Sequence, residues 1–568
     1  MKKIKSLLYI ALTGLVMTFT SCKDWLTLMP LNEVVLENFW TEKADVESVL
    51  LGAYSALNQD AVQKMLMFGE MRSDNIVANT TADNNIIQIT KDNILETNPN
   101  VNWSVFYSCI NIANNVMHFA PQVAEKDPNY TDAELKSHIA EATALRALCY
   151  WYLIRAYRDV PYVTRPSIDD TEEFFVPAEK FEVILESLIA DLEEVKNFAV
   201  NKFVNEYANT ARFTRVGIEA LLSDLYLWKG DWDNCIAAVD RILERKMFEY
   251  DELMEDDPNA CTVEIFRNKY PLITNVWQNE FGNAYNEIFG VGNSFETLFE
   301  LAFSPSSGQK FNVVSSNFVN NEGTTGNLKP EPRVASNFTQ GTNTIFESEY
   351  DGRFYESITE SSSADYSITK YVYSNISYKL QTGQVQDLDR VQRGENTDIT
   401  WVIYRLTDVL LMQAEAMTMK AMEMGNEITG DTLAARNSLL ENAFAIVQTV
   451  NSRAKGYNIF PPTDTIPAAS YKTNAKQMEE LVLKERRREL LFEGKRWFDL
   501  VRMARRDGNT ERLSQLVLLK YTENVSAVRI KLADMNAIYW PILKDELKIN
   551  TLLKQNPAYE EDEFIEKN

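Results

Sequence analysis

The chain has 568 residues, with 57 Lys and Arg against 82 Asp and Glu and a net charge of −25, a balance that repels nucleic acid and anionic lipid. With 45% hydrophobic and 11% aromatic residues it can bury a large core, as one big domain or two closely packed parts, and it is not a disordered tail. Two histidines and no closely spaced cysteine pair argue against a zinc site, and neither metal nor cofactor is expected.

The first predicted element is a leader. Lys2, Lys3 and Lys5 precede a mostly apolar run from Ser6 to Phe19, shorter than the ~20 residues of a membrane-spanning helix. Thr20 and Ser21 follow, in the charge, apolar and small-residue order of a secretory signal. Cleavage after Ser21 would free the thiol and amine of Cys22 for acylation, and "TFTSC" resembles the lipobox of bacterial lipoproteins, with Phe19 where Leu is commoner. Residues 1–21 are therefore expected to be removed and Cys22 to be a lipid anchor. An ordinary signal with a chance cysteine is the alternative. At ~0.8 kcal/mol per buried methylene, two or three acyl chains hold permanently where one does not. Losing the three lysines takes the net charge from −25 to −28.

Helical periodicity then dominates residues 22–250. In "FWTEKADVESVLLGAYSAL" Thr41 is the predicted N-cap, and Val46, Val49, Leu50, Ala53 and Leu57 share a face. A second helix runs through "SHIAEATALRALCYWYLIRAY" and stops before Asp159-Val160-Pro161, because a proline disfavours helix at the preceding residue. In "RVGIEALLSDLYLWKGDWDNCIAAVDRIL" two helices flank Lys229-Gly230-Asp231, with small residues that allow close antiparallel approach. The pair resembles a tetratricopeptide unit, and a comparable one is predicted from "WVIYRLTDVLLMQAEAM" and "NAFAIVQTVNSRA", interrupted rather than tandem. Cys109, Cys149 and Cys235 lie in apolar helical contexts and, with Cys261, read as free thiols rather than disulfides.

Between about Asp251 and Thr400 the character changes to Asn, Ser, Thr and Gly, with scattered aromatics and short strand-like runs such as "ETLFELAF" and "ITKYVYS". A long irregular insertion of this kind commonly carries function. Residues 401–568 return to helix. There "LKERRRELLFEGKRWFDLVR" holds five arginines and two lysines among aromatics, which alone would suggest a nucleic-acid patch. Its acids Glu485, Glu489, Glu493 and Asp499 are spaced to pair with Arg488, Arg496 and their neighbours, so it reads as a packed ion-pair seam.

That stretch resembles the helix signature of the SusD/RagB family of surface lipoproteins. The tail "YWPILKDELKINTLLKQNPAY" resembles the family's ending through Trp540, Pro541, Gln555, Asn556, Pro557 and Tyr559, while Leu543, Thr551 and Ala558 depart from its usual Pro, Pro and Gly. "MPLNEVVLENFW", "FGEMRSDN", "WSVFYSCINIANNV", "YDGRFYESI" and "YRLTDVLLMQAEA" extend the likeness over nearly the whole mature chain. The resemblance implies a mainly α, SusD-like fold: tetratricopeptide-type helix pairs as scaffold, with a large irregular insertion carrying short strands and the ligand face. It also implies capture of oligosaccharides and their delivery to a SusC-like TonB-dependent transporter, for which the chain would be a hinged lid. A peptide-uptake relative of the same fold is the alternative.

No G-x-S-x-G, H-E-x-x-H or G-x-x-x-x-G-K occurs, and "FGVGNSF" lacks the third glycine of a dinucleotide loop. The chain reads as a binder rather than an enzyme, although a glycoside hydrolase needs only two carboxylates at a set separation. A purely structural envelope lipoprotein is a third class. Sugars offer apolar faces and hydroxyl rims, so aromatics outside the periodic helices and near polar clusters are the candidate contacts: Arg72, Asp74 and Asn75 in "MRSDN", Trp103, and Trp277, Tyr285 and Phe295 in the insertion. The alternative makes Arg72 and Asp74 a structural ion pair and packs Trp103 on its own helix. The negative charge favours neutral or amino-sugar ligands unless a local Arg or Lys cluster overrides it.

Overall fold

Apolar residues at helical spacing become helix over most of the chain. In the computed structural model residues 39–560 are described, apart from 58, 169–174, 305–311, 319–325, 336–344, 349, 362–364, 382–383, 395–397, 426 and 456–465. The leader and Cys22 lie outside the described residues. The helix Lys43–Ala56 buries Val46, Leu50 and Ala53 as its spacing predicts. It starts one residue later than a Thr41 cap would give. The Asp45 carboxylate accepts from the Thr41 hydroxyl (2.8 Å) and the Glu42 N–H (2.9 Å), which makes Glu42 the N-cap.

Consecutive helices pack in pairs: Ser104–Lys126 on Asp132–Tyr157, Arg215–Lys229 on Trp232–Asp256, and Leu406–Glu423 on Gly430–Ala454. The turn of the second pair needs Gly230, whose φ of 79° is left-handed. Asp132–Tyr157 is buried on every side from Ala140 to Tyr157, so it is the central helix of the scaffold rather than an amphipathic surface one. It ends before Pro161 as predicted. Cys109, Cys149 and Cys235 are buried free thiols, and Cys261 is a partly buried one.

Most strands lie in the expected region, with Ile76–Ala78, Val160–Pro161 and Ala178–Glu179 before it and Ile399–Arg405 running past its end. Thr297–Phe303, within "ETLFELAF", pairs antiparallel with Ile399–Arg405, placing Trp401 opposite Leu301. Here the expectation of a helix from "WVIYR" is corrected. Its aromatic and β-branched side chains fit a pleated surface, and the helix begins only at Leu406. "ITKYVYS" is likewise split. Strand Asp365–Ile368 ends before a turn containing Tyr371 at φ 69°, and Tyr373–Gln381 follows, joined to Gln384–Gln392 and the short hairpin Val276–Trp277 and Glu280–Phe281 in one sheet.

The arginine-rich stretch forms Ala475–Glu489 and Arg496–Asp507, and its charges are interior. Glu489 accepts from Arg405 (2.7 Å), Arg453 (2.7 Å) and Arg353 (2.8 Å). Glu493 accepts from Arg405 (2.8 Å) and Lys370 (2.5 Å), Asp499 from Arg486 (3.0 Å) and Arg502 (2.7 Å), and Glu485 from Arg488 (2.8 Å) and Arg353 (2.8 Å). All of these side chains are buried. Burial alone would raise the Glu489 carboxyl, but the guanidinium groups of Arg405, Arg453 and Arg353 hold it well below the usual range. The loop between the helices meets Met67–Met71 so closely that a Cβ on Gly69 would lie 1.7 Å from the Gly494 carbonyl oxygen. Only glycine allows that approach.

Candidate functional site

The structure places the sequence candidates mostly inside. Arg72 is fully buried and its partner is not Asp74. Its Nε meets Asp92 at 2.6 Å, its other nitrogens donate to the carbonyls of Ala537 (2.6 Å) and Ile538 (2.9 Å), and its guanidinium lies 4.2 Å from the Trp497 ring centre. Asp74 instead holds Arg496 (2.8 Å) and Arg487 (3.1 Å), and Asn75 donates to Glu70 (2.8 Å) and accepts from Arg487 (2.8 Å). "MRSDN" and the arginine stretch are therefore one buried junction between the two ends of the chain. Burial would raise Asp74, but Arg487 and Arg496 hold it far below the usual carboxylate range. Trp103 is buried edge-on against Tyr107 of its own helix and against Tyr157. Tyr285 is buried with its hydroxyl 3.2 Å from the Tyr373 carbonyl. Only Trp277 and Phe295 remain partly exposed, and Lys246 already sits 4.8 Å from the Phe295 ring centre. The seven residues do not converge on one concave surface.

A different set does. One face of Lys43–Ala56 along its whole length, the first turns of Asp132–Tyr157, the segment 200–212 and the end of strand Thr297–Phe303 enclose a cleft of about 940 Å³, within the range of small-ligand sites. Helical spacing brings Lys43, Glu47, Leu51, Tyr54 and Ser55 to one wall and Glu134, Ser137, His138 and Glu141 to another. The third wall is irregular and held by asparagines: Asn209 accepts from the Phe203 N–H (2.7 Å) and Asn205 from the Tyr207 N–H (3.1 Å). These bonds display Val204 fully and leave Tyr207 76% exposed, with Leu51 43% exposed opposite.

The floor is polar and closed. Both Arg212 nitrogens Nε and Nη2 donate to Glu141, at 2.9 and 2.8 Å, and Tyr54 donates to the same carboxylate at 2.9 Å. The Tyr54 oxygen in turn accepts from the Phe213 N–H (2.8 Å), and the Arg212 guanidinium stacks 4.5 Å from the Phe203 ring centre. Burial raises the Glu141 carboxyl despite Arg212. Burial and the charge of Arg212 lower His138 below its ordinary value, leaving a neutral ring whose Nδ1 shares a hydrogen bond with Tyr130 (2.9 Å). At the rim Lys43 and Glu134 pair at 2.8 Å while both stay more than a third exposed. The cleft thus offers apolar and aromatic platforms beside a rim of amide, hydroxyl and charged groups. That combination suits a sugar's C–H faces and hydroxyls. Among the described residues no group of three or more His, Cys, Asp or Glu is arranged to hold a metal, and no helix is long and apolar enough to cross a membrane.

Sequence reasoning passed over "VNKFVNEYANTARF" because its apolar spacing looks helical. The available signal was the asparagine at every few positions, which turns the backbone and leaves Val204 and Tyr207 with nothing to pack on.

Helix pairs of tetratricopeptide type carrying a loop-built concave surface define the class: a mainly α binding scaffold. Residues 299–559 match the model of the SusD family, and residues 24–227 match the model described as starch-binding associating with outer membrane. The chain belongs to the SusD-like family. A SusD-like protein of Formosa agariphila is 24% identical over 98% of this chain and 100% of its own length, and one of Bacteroides ovatus is 26% identical over 40% of each chain. A SusD homologue from Bacteroides thetaiotaomicron superposes with a TM-score of 0.63 at 18% identity, covering 92% of this chain and 99% of its own. A laminarin-binding SusD-like protein superposes at 0.61 with 20% identity, covering 91% and 100%. The likeness in three dimensions is one of fold.

Proposed function

We propose that the protein captures oligosaccharides at the outer membrane, where acylated Cys22 anchors it on the cell surface, and passes them chemically unchanged to a SusC-like TonB-dependent transporter. The observation that carries the reading is the cleft, where exposed Tyr207, Val204 and Leu51 face a rim of Lys43, Glu47 and Glu134 in a chain of the SusD-like family. The family description of starch binding and the laminarin-binding relative point to the same ligand class. The rim and floor charges nearly cancel, with Lys43 and Arg212 against Glu47, Glu134 and Glu141, which favours a neutral or amino-sugar oligosaccharide. A binding role also fits the carboxylates, because the buried Glu141 is engaged on both oxygens and Glu134 is held by Lys43. Trp277 and Phe295 stand as secondary proposed contacts on the insertion.

Calorimetry against neutral glycans, acidic glycans and mixed peptides tests the ligand. An affinity of micromolar to millimolar, roughly 4 to 8 kcal/mol, is expected for a neutral oligosaccharide, with no product formed on prolonged incubation. Heat from peptides alone would replace the glycan reading with peptide uptake, and released sugar would replace it with hydrolysis. Cys22→Ala should move the protein out of the membrane fraction, and co-purification from detergent extracts should bring down the transporter with the native lipoprotein.

A further inference from the structure

A second cavity, of about 490 Å³, opens between residues 77–93 and residues 520–531. Its charges differ from those of the cleft. Lys91, Lys520 and Lys531 line it against Asp92 and Glu523, and Asp92 is already spent, since one oxygen holds Arg72 at 2.6 Å and the other accepts from Tyr521 at 2.7 Å. Among the described residues no carboxylate lies within ion-pair distance of Lys91, Lys520 or Lys531, in a chain with 82 acids. Lys520 donates two hydrogens to the carbonyls of Arg72 (3.0 Å) and Ser73 (2.9 Å), which leaves the third for the cavity. Lys531 sits 4.5 Å from the Tyr559 ring centre, and Asn93, Thr522 and Asn524 complete the wall with neutral donors. Lys91 is exposed, but Lys520 and Lys531 are half-buried, and ammonium groups so placed without an ion-pair partner are costly to desolvate, a cost that a bound anion offsets.

We infer that this pocket binds an anionic group, a carboxylate or sulfate ester, carried by a saccharide of one or two rings. That an anion enters rests on the lysines alone; that a saccharide carries it rests on the function proposed above. The local cluster reverses the preference that the net charge imposes elsewhere. Lys520 and Lys531 are both lowered to about 8, by burial first, with the charge of Arg72 acting in the same direction and Asp92 opposing, joined at Lys520 by Asp74 and Glu331. An anion would raise both lysines, so binding should take up protons above pH ~8 and weaken as pH rises from there.

The test is calorimetry on the full-length protein with a uronic-acid disaccharide, a sulfated disaccharide, their neutral counterpart and inorganic sulfate, comparing wild type with Lys531→Gln and with Tyr207→Ala. Lys531→Gln is preferred because Lys520 also holds backbone. The expected result is heat from the charged disaccharides and little from the neutral one at this site. Lys531→Gln should weaken that binding about tenfold and Tyr207→Ala should not, while added salt weakens it. Heat from inorganic sulfate alone, lost in Lys531→Gln, would keep the anion site and overturn the saccharide. No heat from any anion, or equal affinity in Lys531→Gln at an unchanged melting temperature, would overturn the inference.

Discussion

The ion-pair seam around Ala475–Asp507 and the cleft beside Lys43–Ala56 are assembled from the same residue types, yet water treats them differently. In the seam Glu489 meets three arginines at 2.7 to 2.8 Å with every partner buried. At the cleft rim Lys43 and Glu134 meet at the same 2.8 Å while side-chain exposures are 37% and 40%. Distance is equal and consequence is not. Water screens the rim pair and competes for it, so its contribution is small. In the seam each charge has lost its hydration, and removing one partner strands another in low dielectric. A pair's role is therefore read from its burial and its other partners, not from its length. The comparison also separates what folds the chain from what it leaves free to bind.

The largest effect that would break this contrast is at Arg405, which serves both Glu489 and Glu493. Arg405→Ala should cost about 3 to 5 kcal/mol and unfold a large fraction of the protein at 37 °C, measured by chemical denaturation. A loss below 1 kcal/mol would show that water enters the seam. Arg488→Ala comes next, at roughly 2 to 3 kcal/mol, since Glu485 keeps Arg353 and Asn451 as partners. Ligand affinity should persist in the fraction that folds, and unchanged melting with lost binding would make Arg488 a ligand residue.

The acid side sharpens the same point. Burial would raise Asp499, but Arg486 and Arg502 outweigh it and lower it to about 2. A carboxyl lower in the folded than in the unfolded chain contributes stability that is full above its unfolded value near 4 and is lost as pH falls towards 2. Melting curves from pH 5 to 2 should fall steeply in wild type and less steeply in Asp499→Asn, which starts from a lower plateau. Parallel slopes would remove Asp499 from the seam's account.

At the cleft the order reverses. Tyr207→Ala should weaken oligosaccharide binding by tenfold or more, as stacking losses do, while stability shifts by less than about 0.5 kcal/mol. The smallest change is expected from Glu134→Gln, with melting unchanged and only a salt-sensitive drop in affinity. A large destabilisation by either variant would show that the rim is structural.

Much of the fold was legible because its causes are local. Periodicity placed the helices of Lys43–Ala56 and Asp132–Tyr157, Pro161 ended the second, Gly230 turned the pair around it, and the acids interleaved with Arg486, Arg488 and Arg496 marked a seam. The strand at Ile399–Arg405 was missed because "WVIYR" fits either periodicity until Thr297–Phe303 lies beside it. The sites were least legible. Arg72, Asp74 and Trp103 have the chemistry of ligand contacts, but Asp92, Arg496 and Tyr157 had claimed them.

By itself, then, the sequence determined the helices of Lys43–Ala56, Asp132–Tyr157 and the pair around Gly230, and that the C-terminal arginines face carboxylates, since each depends on spacing within a turn or two. Only the tertiary structure decided that Arg487 reaches Asn75 across 412 positions, that Tyr207 stays in water while Trp103 does not, and that three lysines share a pocket whose Asp92 is already held by Arg72 and Tyr521. Burial and counter-charge are properties of two surfaces brought together, and no local pattern records what the other surface will be.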